Sequence, residues 1–171
     1  MVKKLPSNKY LIISVIFLVV GFVSYYVFSK PNKENFEAPG KDWNSPKKVE
    51  DYFIERLRMT PKEASEIRSK PGVDGKVNLR ININVTLTGL VGNLYYYGFV
   101  RDEDTFRYAL EHTKDSTFSD KAIKVGKEGT IDTNAEYRIS EDMGVWEIAD
   151  ILLNKPSGHF TFDEYNYFFM P

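Results

Sequence analysis

The side chains here with the greatest capacity for chemistry are carboxylates set in apolar surroundings. Asp163 and Glu164 lie within the aromatic run FTFDEYNYFF, Glu141 and Asp142 precede an apolar helical repeat, and Asp102, Glu103 and Asp104 form a third group. Cleavage of a glycosidic bond needs one such acid poised to protonate the leaving oxygen, in surroundings that raise its pKa. The spacing offers each a simpler use. Asp102 and Asp142 stand where helix caps and first-turn charges belong. Asp163 and Glu164 alternate with aromatics as solvent-facing positions do. His112 and His159 are the only histidines, and neither an HExxH pair nor a carboxylate loop accompanies them. His112 falls in the last turn of a helix, where a cation is favoured. No serine sits in a Gly-x-Ser-x-Gly turn, no glycine-rich phosphate loop is present, and the absence of cysteine removes thiolate chemistry and disulfides. The residues therefore assign no catalytic group, no metal and no cofactor.

Aromatic side chains give a different indication. Tyr95, Tyr96 and Tyr97 are consecutive, and Phe160, Phe162, Tyr165, Tyr167, Phe168 and Phe169 crowd the tail. Such rings stack on sugar faces or anchor a partner surface. Three successive residues of a helix point in three directions, so at least one of the tyrosines is expected to stay wet. Tyr95, Tyr96, Tyr97, Tyr137 and Trp146 are the ligand-binding candidates.

The elements that would position them follow from periodicity. Ser45-Pro46 is a helix start, and Val49, Phe53 and Leu57 recur at helical spacing to about Arg58. Thr60 and Glu63 form a capping box for a second helix that stops before Pro71-Gly72. From Val77 the period becomes two, with Val77, Leu79, Ile81, Ile83 and Val85 on one face of a strand. Thr88 is expected to cap the next helix, whose apolar face is Leu90, Val91, Leu94 and Tyr95, and Gly98 to end it. Asp102 opens another helix with Phe106, Ala109 and Leu110 inward. Lys114 to Lys127 reads as a polar connector, Ala135 to Ile139 as a short strand, Val145 to Leu153 as an amphipathic helix, and His159 to Phe169 as a last strand. This order is α+β rather than a wound parallel sheet.

Nineteen residues, Tyr10 to Phe28, carry no charge, proline or amide. About 20 apolar residues of helix cross a bilayer core, so the run predicts a transmembrane helix over 10–28, an uncleaved anchor in preference to a signal peptide. Lys3, Lys4 and Lys9 precede it, which puts a cytoplasmic tail at 1–9 and the rest outside. Residues 29–45, with Pro31, Pro39 and Gly40, read as a flexible linker to an extracytoplasmic domain over 46–171. Lys3, Lys4, Lys9 and Lys30 are four of the 23 basic residues and all 24 acidic ones follow them, so the part beyond Lys30 carries −5. That charge excludes nucleic acid as the natural partner. The implied location is a bacterial cell membrane, with a single-pass protein and its domain in the cell envelope.

The stretch NVTLTGLVGNLYYYGFVRDEDTFRYAL, through Leu94, Gly98, Phe99, Val100 and Phe106, resembles the opening module of the endolytic murein transglycosylase family, the YceG-like proteins. The similarity continues through Ala135-Glu136-Tyr137-Arg138-Ile139, Met143-Gly144 and Glu147-Ile148 to Leu152, so that 77–153 resembles that module. Ala135 stands for the family's glycine and Gly144 for its capping serine. In the family a catalytic domain with an Ala-Ser and Glu-x-Glu motif lies beyond this module, and no Glu-x-Glu occurs in this sequence. The resemblance implies a small LysM-like domain of β-α-α-β type with extra helices, facing peptidoglycan glycan without the lyase itself. The implied function is a membrane-anchored, non-catalytic peptidoglycan-binding or envelope-associated module. The alternatives are a bitopic scaffold for envelope proteins of the cell-wall or division machinery, and a truncated endolytic transglycosylase.

Overall fold

A computed structural model describes residues 8–28, 32–69, 76–117 and 122–160. Residues 1–32 and 33–171 form two units.

In the first unit, helix α1 (Asn8–Phe28) is apolar on every side. Its described side chains, from Tyr10 to Ser24, are all exposed. A stripe on one face would mark a helix packed on a core, and this helix has none. Among the described residues no helix is long and apolar enough to cross a membrane. On the described residues, then, the expected transmembrane helix over 10–28 and the single-pass membrane location do not stand.

The second unit is mixed α+β. A 3-10 turn (Lys33–Phe36) leads to α2 (Val49–Arg56), α3 (Pro61–Ser69), β1 (Val77–Ile81), α4 (Leu87–Tyr96), α5 (Glu103–His112), β2 (Ala122–Val125), β3 (Gly129–Asp132), β4 (Ala135–Ile139), α6 (Val145–Asn154) and β5 (Gly158–His159). β1 pairs antiparallel with β4, Leu79 opposite Tyr137, and β4 pairs in turn with β5. β2 and β3 form a separate hairpin. That hairpin stands between α5 and β4, so the β-α-α-β unit implied by the family resemblance is not contiguous here. The hairpin's first strand falls at the end of the segment read as a polar connector, Lys114 to Lys127, and its second lies just beyond. Its strands are four residues long and bury little beyond Val125, Ile131 and Thr130, too short a period to stand out among lysines.

Local chemistry explains where the elements begin and end. β1 alternates Val77, Leu79 and Ile81 inward with Asn78 and Arg80 outward, and it stops at Ile81 rather than Val85. β4 offers only five partners, and the chain must turn over Asn82–Val85 to start α4, which leaves Ile83 exposed. Thr86, not Thr88, caps α4, its hydroxyl accepting from Gly89 N–H. Asp102 caps α5, accepting from both the Thr105 N–H and its hydroxyl. Thr60 and Glu63 make the reciprocal capping box at α3, with Glu63 accepting from Thr60 N–H at 2.8 Å. α2 begins three residues after Pro46, at Val49, because Ser45 bonds the Lys47 carbonyl instead of capping. Gly98 (φ +82°) closes α4, its N–H reaching Tyr95 O while Phe99 N–H reaches Leu94 O. A Cβ at 98 would lie 2.8 Å from Ser45 Oγ, so only glycine admits this approach.

From Lys33 onward the segment read as a flexible linker is tied to the second unit. Arg101 donates twice to the Ala38 carbonyl (2.8 and 3.2 Å) and lies over the Trp43 ring. Gly40 N–H bonds Glu141 O, and Lys47 N–H takes the free Tyr96 carbonyl at the end of α4. Beneath this strap sits a buried ion pair. Arg68 of α3 contacts the Glu141 carboxylate at 3.0 Å, donates to Lys41 O, and lies 3.9 Å from Glu50. Burial pushes the Glu141 carboxyl above the usual carboxylate range, and Arg68 partly opposes that.

Replacing Arg68 by Met strands a buried carboxylate, which costs about 3 kcal/mol. Urea unfolding of R68M at pH 7 checks this. The folded-state pKa of Glu141 lies above its unfolded value. Its stabilising contribution is therefore complete at low pH and lost as pH rises, and the R68M deficit shrinks on acidification toward pH 4.5.

Candidate functional site

The tyrosine triplet at the end of α4 splits three ways. Tyr95 is half-buried against the core, Tyr96 is 44% exposed, and Tyr97 is buried. Tyr97 donates its hydroxyl to Glu55 (3.0 Å) and meets Tyr52 edge-on at 5.2 Å. Lys47 pairs with Glu55, raising its own pKa and lowering that of the carboxylate, and lies over both the Tyr96 and Tyr97 rings. Tyr97 thus joins α4 to α2, Tyr95 packs on the core, and Tyr96 is the exposed member of the three. Tyr137 is fully buried at the centre of β4, its hydroxyl donating to Asp132 O at 3.1 Å, with burial raising its pKa. It is a core residue.

Trp146 is the remaining candidate, and it is 43% exposed. It occupies the second position of α6, where Gly144 provides an N-cap without a side-chain bond. From α5, Tyr108 (39% exposed) approaches it edge-on, centroids 6.2 Å apart. His112, one turn further along α5, stacks on Tyr108 at 3.9 Å and hydrogen-bonds its carbonyl through Nδ1. From the 3-10 turn, Phe36 lies flat on Trp146, centroids 5.4 Å apart and planes 6° from parallel, with its edge toward Tyr108. Three segments far apart in sequence therefore build one exposed aromatic platform. Packing of α5 on α6 brings Tyr108 to Trp146, and the strap adds Phe36. Neither Phe36 nor Tyr108 stood out in the sequence, since each is a lone aromatic in a polar setting. The only local signal was the i, i+4 spacing of Tyr108 and His112 on one helical face.

Two of the candidate carboxylates are engaged, and Asp142 does not cap α6, whose N-cap is Gly144. Asp102 is consumed by its cap and Glu141 by Arg68, and both Glu141 and its partner are largely removed from solvent. Asp163 and Glu164, with the aromatic tail from Thr161, lie outside the described residues. Asp115 accepts from Thr117 N–H, Thr130 N–H and the Thr130 hydroxyl, organising a polar groove of about 420 Å³ between the end of α5 and the hairpin turn Gly126–Gly129. Among the described residues no three histidine, aspartate or glutamate side chains converge as a metal would require. The platform is thus the described surface best suited to a ligand, and the ligand it suits presents a flat, partly apolar face.

Exposure separates the two roles experimentally. Tyr137→Ala is expected to cost about 3–5 kcal/mol, as for a buried aromatic, whereas Trp146→Ala costs under about 1 kcal/mol by urea denaturation. Tyr52, buried against Tyr97 and Phe99, donates to Asn78 O, and its pKa is pushed up to about 12 by that burial. Its stabilising contribution is complete below pH 10 and lost as pH rises through about 12. Stability measured across that window is expected to fall less steeply in Tyr52→Phe than in the parent. Compared with protein-family models, with curated proteins and with solved structures, the chain matches none.

Proposed function

We propose that the second unit is a non-catalytic module that holds peptidoglycan glycan in a cell envelope, akin to the opening module of the YceG-like murein transglycosylases. The observation that carries this reading is the pair of exposed rings Trp146 and Tyr108, with Phe36 stacked on Trp146. A pyranose ring presents an apolar face of C–H groups, and aromatic rings take such faces by stacking while the sugar hydroxyls stay wet. The net charge of −5 beyond Lys30 is compatible with an uncharged glycan strand and poorly compatible with a polyphosphate. The capped Asp102 and the paired Glu141 leave neither acid poised for bond cleavage, which favours holding over lysis. The resemblance through Leu94, Gly98, Phe99, Val100 and Phe106 points to the same ligand class.

Co-sedimentation of the full chain with purified sacculi tests this reading. The chain is expected to pellet with sacculi, and the Trp146→Ala/Tyr108→Ala variant to bind about tenfold more weakly, the effect of removing a central aromatic anchor. No soluble muropeptides are expected. No pelleting above an unrelated acidic protein ends the glycan reading and transfers the platform to a protein partner. Release of muropeptides would show that a carboxylate is active after all.

A further inference from the structure

Phe36 is not an ordinary member of the platform. Trp146 and Tyr108 rise from two packed helices, whereas Phe36 comes from a four-residue 3-10 turn and is half-buried at the edge of the core. Its nearly parallel ring lies on the Trp146 face, where a sugar ring would lie on the same indole. Firm anchorage of the strap begins only two residues later, at Ala38, Gly40 and Lys41, through Arg101, Glu141 and Arg68. Behind Phe36, Glu37 N–H bonds Glu34 O at 3.3 Å. Between the anchors and the ring there is thus a short tether, and between ring and platform mainly stacking.

We propose that Phe36 is a tethered plug, an internal occupant of the Trp146 face that a saccharide must displace to bind. The inference rests on the platform being a saccharide site. With the ring seated, only the fraction of molecules with Phe36 lifted away is competent, and the apparent dissociation constant rises by that factor. A single stacked aromatic pair sets the factor at about three- to tenfold. Because the strap stays fastened at Ala38 to Lys41, release of the plug leaves the helices and the β1–β4 pairing undisturbed.

The test is titration calorimetry of the full chain with a soluble N-acetylglucosamine oligomer, comparing the parent with Phe36→Ala, Phe36→Leu and Trp146→Ala. Phe36→Leu keeps apolar bulk on the strap while abolishing the ring stack, so it reports on the plug even if the alanine variant is poorly folded. Thermal melts establish which variants are folded. Tighter binding by about three- to tenfold in the folded Phe36 variants, with binding lost in Trp146→Ala, is the expected result. Weaker binding makes Phe36 part of the contact surface, and unchanged binding makes it a bystander. Either overturns the plug while leaving the glycan reading intact. Absence of binding in the parent and in every Phe36 variant overturns both together.

Discussion

The pairing of β1 with β4 is the constraint on which the second unit depends. It joins residues 77–81 to residues 135–139, and everything between them is a closed excursion that must pack back on the sheet. At its centre Leu79 faces Tyr137, whose ring is fully buried and whose hydroxyl reaches the Asp132 carbonyl. That bond lets a polar group enter the core without a stranded donor. It also ties the end of the β2–β3 hairpin to the strand that follows. Val77, Leu79 and Ile81 turn inward because the pleat puts alternate residues on one face, and α4, α5 and α6 supply Leu94, Phe106, Leu110, Ile148 and Leu152 to meet them.

On this frame a second layer is fastened by polar contacts. The strap from Lys33 to Ser45 buries few apolar side chains and is held by Arg101 on Ala38, Glu141 on Gly40 and Arg68 on Lys41. Arg68 serves two ends at once, since it neutralises the buried Glu141 and terminates a strap carbonyl. A buried ion pair of this kind contributes more to uniqueness than to net stability, because desolvation offsets much of the attraction. Here it specifies one docking of α3 and the strap against the loop before α6. The platform inherits its geometry from both layers: two rings from the rigid helices and one from the fastened strap.

Much of this was legible in local chemistry. The Thr60–Glu63 capping box, the Asp102 cap, the left-handed Gly98 and the inward set of β1 each depend on residues within a few positions of one another. Where expectation failed, the deciding partner was remote. β1 ends at Ile81 because β4 offers it five residues, although Ile83 and Val85 continue the alternation. The hairpin over 122–132 was hidden because its strands are short and its order depends on Asp115 binding Thr130. The strap looked like a spacer because its composition is that of one, and its anchors lie on α3, the segment before α5 and the loop before α6.

The sequence by itself determined where the helices and the inward face of β1 lie, because caps, breakers and periodicity act within one or two turns of chain. It also determined that α1 carries no charge from Tyr10 onward and that thiol chemistry is absent. Only the tertiary structure decided which aromatics are available. Tyr137 and Tyr97 are as aromatic as Trp146 and Tyr108, yet the first two are buried with their hydroxyls satisfied and the others share an exposed surface. Exposure depends on what packs above a residue, and in this fold the residues above come from segments tens of positions away.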